Sequence, residues 1–285
     1  MSLIKKIIKE AYKNKYAIGN FDTSNLEITQ AIARAAETKN SPAIIGVTEN
    51  ALEYGGFTPL INLIRGVISE SKAQLVLHLD HGKHPENVIK CIDAGFESVM
   101  IDASAYDFEK NVEITQEIVK YAHKKDVFVQ AELGKIPKLD TSTEVGVALN
   151  QMEMTDPEEA EEFVAKTKVD TLAVIIGNIH GGYKGKENPR LDFGLLKKIR
   201  EKVSLPFVLH GGSGVPVEDV KKAIAEYGIV TVNIDTQVRV AFIEALKNYF
   251  ASGQTTTDPR KFLVTARDEV QKAVEEKIEL FRNGQ

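Results

Sequence analysis

Short apolar runs alternate with helix-like segments along the whole chain. Eight runs have the length of buried strands, and each is followed by a segment with apolar residues at helical spacing. The runs are almost continuously apolar, which predicts strands covered on both faces, as in a parallel sheet. The predicted strands are residues 16–22, 43–47, 75–79, 98–102, 127–132, 171–177, 206–209 and 229–233. The predicted helices are residues 1–8, 25–37, 58–71, 86–94, 107–124, 156–167, 195–203, 217–227, 236–250 and 258–282.

This order of elements predicts one closed (β/α)8 barrel of the TIM type, with additional N- and C-terminal helices, over residues 1–285 as a single domain. No G-x-G-x-x-G motif follows the first strand, which argues against an open, dinucleotide-binding sheet. The helix at 258–282 lies beyond the eight units, and its apolar face either packs on the barrel or forms a subunit contact. That face consists of Leu263, Ala266, Val270, Ala273, Val274 and Ile278.

Composition narrows the classes of function. The chain has 43% hydrophobic and 27% charged residues, a net charge of −5 and no dense basic run, so neither nucleic acid nor anionic lipid is an expected partner. It contains one cysteine, Cys91, which excludes a disulfide framework and favours packing in a reducing compartment. The N-terminus lacks the apolar core of a signal peptide, and no apolar stretch is long enough to span a membrane. We therefore expect a cytoplasmic protein with small-molecule substrates.

Three predicted strands end in a histidine that is followed by glycine: His81, His180 and His210. In a barrel of this type the C-terminal ends of the strands carry the chemistry, so these side chains are expected to meet there. Three imidazoles without a cysteine partner are the ligand set of a catalytic zinc ion with an open fourth position. Asp102 and Glu132 end two further strands, and either approach the same site or are solvated loop carboxylates. The remaining histidines, His78, His84 and His123, are interpreted as structural or solvated.

Two glycine-rich or polar turns follow the seventh and eighth strands. Gly-Gly-Ser-Gly at 211–214 offers backbone N–H groups to an anion, and Asn-Ile-Asp-Thr at 233–236 leads into a helix N-terminus. The loops after these two strands form the usual phosphate-binding site of the fold. Together with the histidines, they predict a phosphorylated substrate whose reacting carbon lies over the metal.

Five ordered motifs give the chain a family resemblance. They are Leu-His-Leu-Asp-His-Gly at 77–82, Ala-Glu-Leu-Gly at 131–134, Ile-His-Gly-Gly-Tyr-Lys-Gly at 179–185, Leu-His-Gly-Gly-Ser-Gly at 209–214 and Val-Asn-Ile-Asp-Thr at 232–236. This set, which extends over nearly the whole chain, resembles the class II, zinc-dependent fructose-bisphosphate and tagatose-bisphosphate aldolases.

The resemblance implies a role for each motif residue. His81, His180 and His210 would bind the catalytic zinc, Asp102 and Glu132 would be acids of a second, weaker metal position, and Asp80 would exchange the proton of the substrate's C4 hydroxyl. A monovalent cation, Na+ or K+, often lies near the phosphate in this family. The implied substrate- and phosphate-binding residues are Asn20, Thr48, Gly181, Lys184, Gly211, Ser213, Asn233, Asp235 and Thr236.

The loop after the fifth strand departs from the family pattern. Residues 134–153 form a long irregular segment of the kind that usually serves as a lid. The family has a Gly-Gly pair and an acidic pair there, whereas this chain has Pro137 and Lys138. Eight residues past Glu132, where the family has a glutamate that transfers the C3 proton, stands Asp140, with Glu144 as the alternative group. Thr48 stands where the family commonly has serine, and it keeps the hydroxyl.

The sequence thus predicts a metal-dependent lyase that cleaves fructose 1,6-bisphosphate reversibly to dihydroxyacetone phosphate and glyceraldehyde 3-phosphate, acting as a homodimer or homotetramer. Tagatose bisphosphate or another ketose phosphate is the alternative substrate. The alternatives from other classes are a Schiff-base aldolase, a metal-assisted hydrolase and a non-catalytic phosphosugar-binding protein. A Schiff-base enzyme would need a lysine on a barrel strand, and strands five to seven have none. A metal-dependent hydrolase would commonly begin with His-x-His on strand one, where this chain has Asn20, Phe21 and Asp22.

Overall fold

Eight parallel strands form a closed barrel in sequential order. The computed structural model describes residues 1–135, 152–179 and 190–282. The strands are β1 (Ile18–Asp22), β2 (Ala43–Thr48), β3 (Leu75–Gly82), β4 (Ser98–Ile101), β5 (Phe128–Leu133), β6 (Thr171–Val174), β7 (Phe207–Leu209) and β8 (Ile229–Ile234). The predicted (β/α)8 barrel is confirmed.

Helices follow the strands and cover the outside of the barrel. The described helices are α1 (Leu3–Asn14), α2 (Leu26–Thr38), α3 (Glu49–Gly55), α4 (Phe57–Glu70), α5 (Pro85–Asp93), α6 (Phe108–His123), α7 (Pro157–Thr167), α8 (Phe193–Lys202), α9 (Val217–Tyr227), α10 (Thr236–Ala251) and α11 (Pro259–Phe281). Among the helices in the described ranges, the sequence prediction missed only the short helix α3. None of the helices in the described ranges is long and apolar enough to cross a membrane.

Side-chain caps set where several helices begin. Asn25 accepts a hydrogen bond from the N–H of Ile28, Asp107 from that of Lys110, and Asp192 from that of Leu195. Each carboxylate or amide oxygen satisfies a backbone donor that has no partner within its helix. These caps end the loops that leave the strands, and so fix the lengths of the loops that carry the site.

The two termini pack on the barrel in different ways. Helix α1 closes the N-terminal end of the barrel, since Ile4, Ile7 and Ile8 cluster with inward-facing strand residues such as Val76 and Phe128. Helix α11 packs along the barrel side and buries Ala266, Val270, Val274, Ile278 and Phe281. Its carbonyl at Phe281 accepts a hydrogen bond from the N–H of Ala17, at 2.9 Å. Of the two possibilities left by the sequence, packing on the barrel accounts for the apolar face of this helix.

The long segment after β5 is closed at its base. Lys135 and Glu153 pair as an isolated antiparallel bridge, with backbone N–O distances of 2.8 and 3.1 Å. The Thr155 hydroxyl donates to the carbonyl of Leu133 at 2.5 Å and accepts from the N–H of Ile175 at 2.8 Å. These bonds hold both ends of the predicted lid at the C-terminal rim of the barrel. Residues 136–151, which include Pro137, Lys138, Asp140 and Glu144, lie outside the described residues.

Candidate active site

A cavity of about 1210 Å³ lies at the C-terminal ends of the strands. The sequence-predicted site residues that line it are Thr48, Asp80, His81, Asp102, Glu132, His210, Gly211, Ser213, Asn233, Asp235 and Thr236. Asn20 does not line it; its side chain is buried, and only 1% of the residue is exposed. His180, Gly181, Lys184 and Asp140 lie outside the described residues. Most of the candidate residues are therefore brought to one cavity.

The end of β3 breaks the regular strand geometry. Neighbouring residues of a strand point to opposite faces, so Asp80 and His81 would normally diverge. The β3–β4 register shifts between Leu79 and Gly82, and His81 has a φ of 46°, in the left-handed region that non-glycine residues seldom occupy. This local irregularity lets both consecutive side chains line the cavity. Backbone strain of this kind is concentrated at functional sites.

Two imidazoles from opposite sides of the barrel meet at the centre of the cavity. Nε2 of His81 and Nδ1 of His210 are 3.0 Å apart. On their outer sides, His81 Nδ1 donates to Asp102 Oδ2 at 2.8 Å and His210 Nε2 donates to Gln130 Oε1 at 2.7 Å. Because the outer nitrogens carry the protons, the two inner nitrogens are the atoms that present lone pairs when the rings are neutral.

Buried carboxylates surround this histidine pair. The Ser104 hydroxyl lies 2.6 Å from Asp102 Oδ1 and 3.2 Å from Glu132 Oε1. Burial, reinforced by the charge of Asp102, raises the pKa of Glu132 to about 8. Burial opposes protonation of His81, but the charge of Asp80 and the hydrogen bond to Asp102 prevail and raise its pKa to about 9. Both shifts reflect acidic groups held close together around the histidines, a setting that favours a bound cation.

The side chain of Asp80 is held from the neighbouring strands. Its Oδ1 accepts a hydrogen bond of 2.9 Å from Nδ2 of Asn233, and 2% of the residue is exposed. Thr48 is its register partner on β2. Asp22 also lines the cavity, and burial, together with the charge of Asp80, raises the pKa of Asp22 well above its usual value. The hydrogen bond from Asn233 thus orients Asp80, and a second buried carboxyl group, that of Asp22, lies in the same cavity.

The donor set fits a divalent metal ion. One ligand atom each from Asp80, His81 and His210 lies within 4.8 Å of the others. Two nitrogens bound to one tetrahedral zinc at about 2.0–2.1 Å each lie a little over 3 Å apart, close to the separation of the two inner nitrogens. A hydrogen bond donated by the outer N–H of each ring to a carboxylate or amide oxygen is the usual support for metal-bound histidine. Metal binding would displace the proton that otherwise stabilises the pair.

The end of β6 is attached to the end of β7. The Asn178 side-chain amide donates to the carbonyl of His210 at 3.1 Å. Gly211 has a φ of 66°, and a Cβ there would lie 2.3 Å from the carbonyl oxygen of Ile179. The backbone of Ile179 therefore lies close to that of Gly211, the residue after His210. Ile179, which directly precedes His180 in the chain, thus lies at the rim of the same site.

The turn after β7 is joined to the start of α10. The N–H of Gly212 donates to the carbonyl of Asn233 at 3.2 Å, and the Ser213 hydroxyl accepts from the N–H of Gln237 at 3.4 Å. Asp235 pairs with Arg239 at 2.6 Å. The predicted phosphate-binding turn thus lies beside the N-terminus of a helix, where backbone donors favour an anion.

Several site residues were missed from the sequence. Gln130 lies in the middle of a predicted strand, and only strand alternation marks it as inward-facing with Glu132. Ser104 and Asp22 carry no motif signal of their own. His78 is buried and lies 2.8 Å from the Ser98 hydroxyl, while burial lowers its pKa to about 4, so its interpretation as a structural residue agrees with its environment. His84 and His123 pair with Glu49 and Asp170 at the surface.

Comparison with known proteins identifies relatives over the full length of the chain. The family model described as fructose-bisphosphate aldolase class-II matches residues 2–285. A fructose-bisphosphate aldolase from Geobacillus stearothermophilus is 42% identical over 286 residues, which cover 99% of this chain and 97% of the relative. The crystal structure of the YdjI aldolase from Escherichia coli superposes with a TM-score of 0.84 at 32% identity, covering 98% of this chain and 96% of the other. A putative fructose-1,6-bisphosphate aldolase from Coccidioides immitis gives a TM-score of 0.87 at 30% identity, with the same coverage.

Proposed function

This chain belongs to the class II fructose-bisphosphate aldolase family, and we propose that it uses zinc to cleave fructose 1,6-bisphosphate between C3 and C4. Membership makes it a metal-dependent lyase that acts on a sugar bisphosphate. The zinc, the exact sugar and the role of each side chain are the proposal. The observation that carries it is the 3.0 Å approach of His81 Nε2 and His210 Nδ1 beside the buried carboxylate of Asp80.

His81 and His210 would hold the metal through their inner nitrogens, with His180 as the third ligand. When bound, zinc supplies Lewis acidity, polarising the C2 carbonyl and stabilising negative charge on the three-carbon fragment. Asp102 and Gln130 orient the two rings from outside. Asp102 and Glu132, which share Ser104, also supply the acids proposed for a second, weaker metal position.

Asp80 would act as the acid/base on the aldehyde side. In cleavage its carboxylate accepts the proton of the C4 hydroxyl, the C3–C4 bond breaks, and C4 becomes the aldehyde carbon. The bonding electrons remain on the C3 side as an enediolate, which is then protonated at C3 to give dihydroxyacetone phosphate. Asn233 holds one oxygen of Asp80 throughout. Proton transfer by a positioned group of this kind contributes about 10²–10⁴-fold to a rate.

The C3 proton would come from the lid. Asp140 is the proposed donor in cleavage and acceptor in condensation, with Glu144 as the alternative. The support is the position of Asp140 in the chain, eight residues past Glu132, and the attachment of both lid ends to the rim by the Lys135–Glu153 bridge.

The dihydroxyacetone phosphate half would lie on the β7–β8 side. Gly211, Ser213, Asp235 and Thr236 line the cavity there, close to the start of α10. Gly181 and Lys184 would contribute from the loop after β6, and a Na+ or K+ ion near this phosphate would offset its charge. Thr48, at the end of β2, would bind the substrate through its hydroxyl. Asn20, whose side chain is buried below the cavity, would contribute through its amide.

The apolar surface of α10 supports self-association. Val240, Ile243 and Phe250 are between 48% and 52% exposed and recur along one face of this helix. Residues 1–285 would act as one domain that forms a homodimer or homotetramer, and the cytoplasm is the proposed location. Light scattering of the wild type and of Ile243→Glu tests the assembly, because a charge in a buried interface should convert the oligomer to monomer.

A kinetic comparison of substrates tests the function. We expect fructose 1,6-bisphosphate to be cleaved with a higher kcat/KM than tagatose 1,6-bisphosphate, with triose phosphates as products. A preference for tagatose 1,6-bisphosphate would make that sugar the substrate in place of fructose 1,6-bisphosphate. If zinc-loaded protein binds these sugars but cleaves neither, the protein is a non-catalytic phosphosugar-binding protein.

A further inference from the structure

Lys83 is a cation at the cavity rim that has no carboxylate partner among the described residues. Besides the two central imidazoles, four basic side chains line the cavity among the described residues: Lys83, His84, Lys135 and Arg239. Three are paired: His84 with Glu49 at 2.6 Å, Lys135 with Glu153 at 3.0 Å, and Arg239 with Asp235 at 2.6 Å. In the described part of the chain, no carboxylate lies within 4.0 Å of the Lys83 ammonium.

The backbone that carries Lys83 is fixed. Oε1 of Glu49 accepts hydrogen bonds from the N–H groups of Lys83 and His84, both at 3.0 Å, and its Oε2 lies 2.6 Å from Nδ1 of His84. Glu49 directly follows Thr48, the register partner of Asp80. One carboxylate therefore joins the loop after β3 to the end of β2. The flexible Lys83 side chain starts from a defined point on the Asp80 side of the cavity.

The barrel order places Lys83 opposite the predicted triose phosphate site. β3 and β7 are four strands apart in a closed barrel of eight, so the loops after them face each other across the cavity. The His81–His210 pair lies between these loops. A ketose bisphosphate has phosphates at both ends and its reacting carbons in the middle. With one phosphate at the glycine turn after β7 and the reacting carbons at the histidines, the second phosphate extends towards the loops after β2 and β3.

The acidic lining of the cavity favours a cation on that side as the partner of the second phosphate. Asp80 and Asp102 line the cavity, and a phosphate dianion that approaches their carboxylates is repelled. A lysine ammonium offers three donors and a full charge, and its hydrogen bonds to phosphate are stronger than neutral ones. A cation that already pairs with a carboxylate attracts a phosphate more weakly than an unpaired one. Lys83 is therefore the best phosphate-binding candidate among the four basic side chains.

We propose that Lys83 binds the phosphate on the aldehyde half of the substrate and thereby selects ketoses phosphorylated at both ends over those phosphorylated at C1 alone. This inference rests on the proposed aldolase function. Glu49 is the positioning residue, since it holds the backbone of Lys83. A contact that is equally strong in the ground state and the transition state changes KM and leaves kcat unaltered.

The test is a specificity ratio, defined as kcat/KM for fructose 1,6-bisphosphate divided by kcat/KM for fructose 1-phosphate. Wild type, Lys83→Met, Lys83→Arg and Lys135→Met are compared with zinc loaded. Loss of a hydrogen bond to a charged group corresponds to about 10–100-fold, so Lys83→Met should lower the ratio by that factor, mainly through KM of the bisphosphate. Lys83→Arg should retain most of the ratio, because it keeps the charge.

Lys135→Met is the matched control, since it removes the same charge from the same cavity at an ion-paired position. Its ratio should remain near that of the wild type. A ratio that is unchanged in Lys83→Met, or that falls equally in Lys135→Met, would overturn the inference while the aldolase function stands. A wild type that neither cleaves the bisphosphate nor exchanges the C3 proton of dihydroxyacetone phosphate would overturn the proposed function, and this inference with it.

Discussion

His81 Nε2 and His210 Nδ1 lie 3.0 Å apart, although their strands are on opposite sides of the barrel. The two rings meet edge to face, with centroids 4.6 Å apart. Their outer nitrogens are engaged by Asp102 and Gln130, and the inner nitrogens face each other. Such an arrangement is unfavourable for two neutral rings alone, and it is stabilised by a proton or by a metal ion between them.

The first prediction concerns Asp102, which orients His81. Asp102→Ala should lower zinc affinity about 10–100-fold, because partners of metal-bound histidines typically contribute that much. The measurement is zinc competition with a chromogenic chelator, together with circular dichroism to verify folding. Asp93→Ala is a suitable control, because Asp93 pairs with Lys125 at the surface, at 2.5 Å. Equal zinc affinity in the wild type and Asp102→Ala would contradict the orienting role.

The second prediction separates proton transfer from metal binding at Asp80. Asp80→Asn should retain zinc but lose about 10²–10⁴-fold in cleavage rate, because an amide cannot accept the C4 hydroxyl proton. The measurement is zinc per chain alongside turnover of fructose 1,6-bisphosphate. Asp80 also lies within 4.8 Å of both histidine ligand atoms. A zinc content that falls as steeply as turnover would therefore make Asp80 a ligand instead.

The sequence predicted most of the fold and the main motifs for physical reasons that the structure makes plain. Apolar runs of strand length and apolar residues at helical spacing are local signals, and they gave the order of elements. The meeting of Asp80 and His81 was expected only from their position at a strand end. The two side chains meet because of the register shift and the left-handed backbone of His81, and no pattern of residue types predicts either feature.

Other parts of the site depend on contacts between distant strands. Gln130 supports His210 across 80 residues of sequence, and Asn233 supports Asp80 across 153. No local pattern links such partners. Helix α3 was missed because its seven residues are too short for a clear helical period. The pairing state of Lys83 likewise depends on which carboxylates the fold brings near it.

The third prediction assigns the proton transfer at C3. Asp140→Ala should slow exchange of the C3 proton of dihydroxyacetone phosphate into deuterated water by about 10²-fold or more, while binding of this triose phosphate changes little. The same measurement on Glu144→Ala is the control, and it should show near-normal exchange. Normal exchange in Asp140→Ala together with loss in Glu144→Ala would move the role to Glu144.

The fourth prediction is that the reaction forms no Schiff base. None of the eight strands contains a lysine, so no strand side chain within the barrel can form an imine with the substrate. Borohydride added with substrate should therefore leave activity intact. Mass spectrometry of the treated protein provides the second readout, and a covalent lysine adduct accompanied by inactivation would place the protein in the other mechanistic class.

The central claim is that carbon–carbon cleavage depends on a metal ion held by the histidines at the barrel mouth, and metal removal tests it most directly. Protein depleted with a chelator and then dialysed should have no measurable turnover of fructose 1,6-bisphosphate. Titration with zinc should restore turnover linearly, up to one ion per chain in the wild type, and should fail to do so in His210→Ala. Full turnover by verified metal-free protein, or full restoration of His210→Ala at one zinc per chain, would contradict the account.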